Sequence, residues 1–200
     1  MNTPKKTRLG RKKSLHLDAG YAILRWSEWF RLPLSRSTEC SMFGSSNPKP
    51  VLYIFRGLPG AGKTTRALAL AEEIEAYHAS ADDHFVDEDG VYRFDPRDLP
   101  EAHAACQDKV RKCLMHGLDV VVHNTFTQGW ELTPYVIMAE KFGAKMEILS
   151  IFDGGLDDAA LAARNVHGVP EASIAAMRAR WEFDIIQSQR AEPRPPWERG

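Results

Sequence analysis

Beyond residue 50 the apolar residues alternate between short strand-like runs and helical spacing. Val51-Leu52-Tyr53-Ile54-Phe55 is unbroken and of strand length, which predicts a buried strand over 51–56. Ala67, Leu68, Ala71 and Ile74 then recur at helical spacing, which predicts a helix from about Lys63 to Tyr77. Ala79–Phe85 reads as a short strand running into a loop. Asp87-Glu88-Asp89-Gly90 reads as a turn at the tip of a small hairpin before Val91–Phe94. Pro100 opens a second helix, whose apolar face is Ala102, Cys106, Val110 and Cys113 with Leu114. Leu118–His123 is a second buried strand, Pro134 starts a helix that closes near Gly143, and Lys145–Phe152 is a further strand. Two last helical segments, over 156–165 and 170–190, are split by His167-Gly168-Val169-Pro170. Ile174, Met177, Trp181, Ile185 and Ser188 share a face of the second.

Strands alternating with helices predict an α/β fold, a three-layer parallel sheet with helices on both faces. Ligands of such sheets sit beyond the C-terminal ends of the strands. Three polar clusters fall at such ends: Gly57–Thr64, Asp82-Asp83 and Asn124-Thr125.

The first cluster carries the most specific signal. Gly57-Leu58-Pro59-Gly60-Ala61-Gly62-Lys63-Thr64 satisfies G-x-x-x-x-G-K-[ST], with a strand before it and a helix after it. With glycine at about 7% of residues, chance gives this pattern in on the order of one in a hundred chains this long. The strand–loop–helix context lowers that further, so an accidental glycine-rich turn is the poorer reading. Small residues let backbone N–H groups approach a polyphosphate at the positive end of the new helix. The expected ATP-binding set is Gly57, Pro59, Gly60, Ala61, Gly62, Lys63, Thr64 and Thr65. Lys63 reaches the β- and γ-phosphates and the Thr64 hydroxyl ligates Mg²⁺.

Such a loop serves kinases, motor ATPases and switch GTPases alike. The guanine-reading sequence N-K-x-D is absent from the chain. A motor would end a strand in acids, whereas here the strand ends in His123-Asn124. The chain has 200 residues, as suits a small kinase.

Charge divides the chain. Residues 1–46 hold nine basic and three acidic residues, although the whole chain has a formal charge of −1. The remainder is therefore mildly acidic, which argues against a broad nucleic-acid surface there. The division predicts a basic extension over 1–46, flexible or loosely docked, a phosphate-loop domain over 50–190, and a tail over 191–200. Tyr21–Phe30 reads as a short amphipathic helix able to dock on the body or on a protein partner of unassigned identity. Ser41–Pro50 is a linker, and Met42 offers a second start position. No apolar run reaches membrane-span length, so no membrane association is expected. The three cysteines lack metal-site spacing; a reduced, cytoplasmic setting is the expectation, with Cys106 and Cys113 facing the core and Cys40 in a loop.

Five blocks occur in order: Gly57–Thr65; Asp82-Asp83-His84-Phe85; Asp89–Phe94; Asn124-Thr125-Phe126-Thr127 with Trp130-Glu131; and Arg164-Asn165-Val166-His167-Gly168-Val169-Pro170. Together, over about residues 50–190, they resemble the polynucleotide-kinase-like branch of phosphate-loop kinases, the group with the kinase-like domain of NEDD4-binding protein 2. The resemblance implies ATP-Mg²⁺ as donor and a hydroxyl acceptor, often the 5′-OH of a nucleic acid or nucleoside. It places Asp82 at the general base and Arg164 at a lid arginine. Asp83, Asn124 and Thr125 fall on the acceptor side, where Asn124 and Thr125 would bond the acceptor or a Mg²⁺-bound water. Phe85 stands where related kinases carry an arginine. His167 and Gly168 replace lid basic residues, and His123 stands where relatives often have an acid. Two other readings share the same loop: a small-metabolite kinase, and a non-catalytic module that uses ATP as a structural ligand.

Overall fold

The computed structural model describes residues 49–185. The expectations for 1–46, for 191–200, for Cys40 and for Ser188 lie outside them.

Four strands form one all-parallel sheet in the order β2-β3-β1-β4. They are β1 (Val51–Arg56), β2 (Tyr77–Ala79), β3 (Val120–His123) and β4 (Lys145–Ser150). In β1 and β3 apolar residues run continuously because both faces of the sheet are covered. Phe55 and Val121 point to the face covered by helix α1 (Lys63–Glu73), where they pack on Ala67 and Ala71. The opposite face takes α2 (Leu99–Met115) and α3 (Thr133–Phe142). There Asn124, one residue past His123, donates to Cys106 Sγ at 3.6 Å, and Cys106 meets the Tyr135 hydroxyl at 3.4 Å. The result is the three-layer α/β arrangement that the alternation predicts. Ala102, Cys106, Val110, Cys113 and Leu114 are all buried, so the apolar face expected for α2 is the observed one.

Three boundaries differ from the sequence reading, two because a long-range contact overrides a local pattern and one because of a local cap. α1 stops at Glu73, and Glu75 adopts φ 53° to turn the chain back. Tyr77 then pairs with Val120 as the start of β2, so it belongs to the sheet and not to the helix. The segment expected as a loop after β2 is a 3-10 turn, Ala81–Phe85, fixed by a capping box between Ser80 and Asp83. The last helix ends at Ala179 because the residues after it fold onto the body, as described below. The hairpin after the turn is present in minimal form, as an antiparallel bridge between Val86 and Tyr92.

A second small core lies over the phosphate loop. Leu58 packs against Leu161 of α4 (Asp158–Arg164) and Ile174 of α5 (Glu171–Ala179). Arg178 ties the pair together, reaching Asp158 at 2.8 Å, Asp153 at 2.5 Å and the Leu156 carbonyl at 2.9 Å. The two helices are thus seated on the loop through one loop side chain.

Candidate active site

The loop after β1 folds as its glycines require. Gly62, the residue before α1, has φ 90°, a region that L side chains rarely adopt. Gly60 has φ 78°, and a Cβ there would collide with the Leu161 carbonyl of α4. Gly60 therefore serves both the turn and the close approach of the helix above. The Gly57 N–H donates to the Thr125 carbonyl at 3.2 Å, so the donor loop is hydrogen-bonded to the end of β3. Pro59 and Ala61 complete the bend, with Ala61 N–H donating to the Leu58 carbonyl at 3.1 Å.

Lys63 donates from Nζ to the Leu58 carbonyl at 3.3 Å. Burial pushes its amine down to about 8, against the opposing pull of the Asp82 charge. Thr64 and Thr65 follow, exposed on the first turn of α1. A glycine cradle, a desolvated ammonium and an exposed threonine hydroxyl at a helix start form a donor set that fits a polyphosphate with a hard divalent cation. Among the described residues no group of three or more His, Cys, Asp or Glu is placed to hold a metal. Thr64 is the residue on this loop whose exposed hydroxyl could hold such a cation.

Across from the loop stands Asp82, in the 3-10 turn after β2, its side chain 46% exposed. The Tyr92 hydroxyl donates to Asp82 Oδ1 at 3.2 Å. His167 Nε2 lies 3.9 Å from Asp82 Oδ2, and the Tyr92 and His167 rings sit 4.3 Å apart. Burial, then the Asp82 charge, raises the Tyr92 phenol well above its usual range, so it stays a hydrogen-bond donor.

Asp83 and Asn124 flank this carboxylate but bond inward. Asp83 accepts from Ser80 N–H and from Lys109 Nζ, both at 3.2 Å. Asn124 is 6% exposed, and its Oδ1 accepts from Ala81 N–H at 2.9 Å and from Ser80 Oγ at 3.3 Å. These contacts brace the turn that presents Asp82. They engage the Asn124 amide that the sequence placed on the acceptor side. Thr125 is half-buried, and its backbone meets Gly57 as noted.

Arg164 ends α4, exposed and with no ion pair or hydrogen bond of its side chain among the described residues. The residue after it organises the following turn: Asn165 Oδ1 accepts from the N–H groups of His167 and Val169, both at 3.0 Å. Gly168 supplies the φ of 67° that the turn needs. The Arg-Asn…Gly-Val-Pro block thus sets His167 beside Asp82.

Sequence reasoning missed a second constellation. Arg56, the last residue of β1, is 1% exposed. Its guanidinium donates to the carbonyls of Phe126 at 2.9 Å, Thr127 at 3.3 Å and Glu182 at 2.9 Å. The Trp181 ring lies 3.9 Å from the same guanidinium carbon. Burial lowers the Arg56 pKa to about 10, with Glu131 and Glu182 opposing. Around it, Glu182 accepts from Gly129 N–H at 2.8 Å, and Arg180 donates to Thr127 Oγ1 at 3.0 Å. This clasp binds the chain beyond α5 to the loop after β3. It also holds Phe126 at φ 47°, an unfavourable conformation for an aromatic residue. The one signal for it was an arginine ending an apolar strand, which by itself is unspecific.

Comparison with known proteins bears on this site directly. A family model described as an AAA domain matches residues 52–183, well over half of the chain. The chain belongs to the polynucleotide-kinase-like phosphate-loop family. It is 33% identical over 135 residues to human NEDD4-binding protein 2, a match covering 66% of this chain and 8% of that protein. The chain therefore spans only a small fraction of that relative's length. Among solved structures it is similar in fold to the Pnkp1/Rnl/Hen1 RNA repair complex, with a TM-score of 0.54 and 17% identity over 76% of this chain and 49% of that one. It is also similar to Chaetomium thermophilum Kti12 in complex with ADP-AlF3, with a TM-score of 0.52 and 19% identity over 71% of this chain and 86% of that one. At these identities the likeness is one of fold. Among the described residues no helix is long and apolar enough to cross a membrane.

Proposed function

We propose that this protein is an ATP-dependent phosphotransferase that moves the γ-phosphoryl group to a hydroxyl acceptor, with a polynucleotide or nucleoside 5′-OH as the favoured acceptor. The observation that carries the reading is the convergence of Lys63 and Asp82. They come from different strand ends, yet the Asp82 charge acts on the Lys63 amine. A phosphate-binding cation and a carboxylate held by Tyr92 stand at the same end of the parallel sheet.

Each residue then has a task. The loop amides and Lys63 hold the β- and γ-phosphates and offset the charge that spreads over the transferring group. Thr64 is the residue that would hold a Mg²⁺, which would neutralise charge on the phosphates. Asp82 accepts the proton of the acceptor hydroxyl as its oxygen bonds to phosphorus and the bond to the ADP oxygen breaks. Tyr92 fixes the carboxylate. Arg164, at the exposed end of α4, supplies a second positive charge when the helix pair closes over the phosphates. The family resemblance and the Pnkp1-like fold favour a nucleic-acid or nucleoside acceptor over a small metabolite.

The test uses γ-labelled ATP with three acceptor pools: 5′-OH oligonucleotides, nucleosides, and small hydroxylated metabolites. Label on the first or second supports the reading. Label on the third alone assigns a metabolite kinase, and tight ATP binding without any transfer assigns the non-catalytic module. Asp82→Asn is expected to keep ATP affinity and lose transfer, because the amide preserves shape but cannot take the proton. Parent-rate transfer by that variant would remove Asp82 from the role of base.

A further inference from the structure

β3 ends in an imidazole with no hydrogen-bond partner among the described residues. His123 is 5% exposed, and neither Nδ1 nor Nε2 has a hydrogen-bond partner. Among the described residues these are the buried side-chain nitrogen or oxygen atoms left in that condition. Leaving a buried polar group unpaired is costly, so a ring kept there for packing alone is a poor use of the position.

The place of the ring suggests what completes it. Strand alternation puts His123 on the same face as Val121, which packs on Ala67 and Ala71 of α1. His123 lies two residues further along, at the end of the strand where α1 begins with Lys63 and Thr64. In register it opposes Phe55, two residues before the phosphate loop. The charges of Asp83, His78, Asp82 and, least, Lys63 act on it, and the His78 ring stacks alongside at 6.0 Å on the β2 side. Burial holds the imidazole down to about 4, so it is neutral and keeps a free lone pair. Motor-type phosphate-loop enzymes end this strand in an acid, a hard oxygen donor. Here the same strand end offers a borderline nitrogen donor.

We propose that a His123 ring nitrogen enters the coordination shell of the nucleotide-bound divalent cation and biases the site toward borderline cations such as Co²⁺ over Mg²⁺. The inference rests on the preceding reading of the loop as a nucleotide–cation site. In this arrangement His123 and Thr64 add to oxygens that the phosphates bring.

The experiment follows Co²⁺ by its visible absorption in the ADP-loaded full chain, with Mg²⁺ as competitor. The parent, His123→Asp and His123→Leu are compared, and the melting temperature of each is measured without nucleotide. The expected result is a Co²⁺-over-Mg²⁺ preference that falls on the order of 10–100-fold in both variants, with a shifted Co²⁺ spectrum. His123→Leu is expected to melt no lower than the parent, since it removes the unpaired nitrogens. An unchanged preference and spectrum in a folded variant that still binds ADP would overturn this inference and leave the nucleotide-site reading standing. Failure of the parent to bind ADP with either cation would overturn both.

Discussion

From Gly57 to Thr64 the residues that would hold a donor phosphate are contiguous, and the backbone that carries them is dictated by local chemistry. Across the cleft, Asp82, Tyr92, Asn124 and His167 come from four separate segments. The donor side needs only a strand, a turn with glycine at left-handed φ, and a helix start. The acceptor side needs the 3-10 turn, the minimal hairpin, the end of β3 and the turn after α4 to arrive together. A contiguous site tolerates loss of distant packing, whereas an assembled one is only as rigid as the contacts that bring its parts together. Asn124 and Asn165 show the consequence: both are engaged in shaping the turns that carry Asp82 and His167.

The comparison breaks most sharply at Lys63. Lys63→Ala is expected to cost on the order of 10²-fold or more in transfer rate, because it removes a preorganised charge, while circular dichroism stays unchanged. Parent-like turnover in a folded variant would mean that the donor side is not where catalysis is concentrated.

Arg56 tests the assembled side from a distance. Arg56→Ala leaves three carbonyls and the Trp181 face without their partner. It is expected to lower stability by about 3 kcal/mol, read as a shift in denaturant midpoint. Arg56→Lys should recover little of this, since an ammonium cannot replace the planar fork. A midpoint within error of the parent would show that the clasp is incidental to the fold.

Protons sharpen the contrast. Lys63 has a folded pKa of about 8 against an ordinary 10.5. Between those values the unfolded chain holds a proton that the folded chain lacks, so nucleotide-free stability rises with pH across that window relative to a Lys63→Met control. Bound phosphates would restore the proton. Nucleotide binding at about pH 9 is therefore expected to take up protons, measured calorimetrically in two buffers of different ionisation enthalpy. Equal apparent enthalpies in the two buffers would contradict it.

The smallest effect is expected at Tyr92. Tyr92→Phe keeps the ring against His167 but removes the hydrogen bond to Asp82. Turnover should fall about threefold to tenfold with ATP affinity unchanged. A matching loss of ATP affinity would mean that Tyr92 acts on the donor side after all.

Local pattern sufficed for much of this protein. The apolar runs at 51–55 and 120–122, the helical face of α2 and the glycine–lysine–threonine loop each follow from interactions within a few residues, so the parallel three-layer fold and the bend of the phosphate loop were legible in the sequence. The position of Asp82 just past a strand was legible in the same way. What pattern could not supply were contacts between residues far apart in the chain. Tyr77 leaves the helix because Val120 pairs with it, and α5 ends where the chain beyond it closes on Arg56 and Thr127. The same limit hid the burial of Asn124, the clasp around Arg56, and the unpaired ring of His123. A side chain's partners depend on what the folded sheet brings beside it, and that is settled only when distant segments pack.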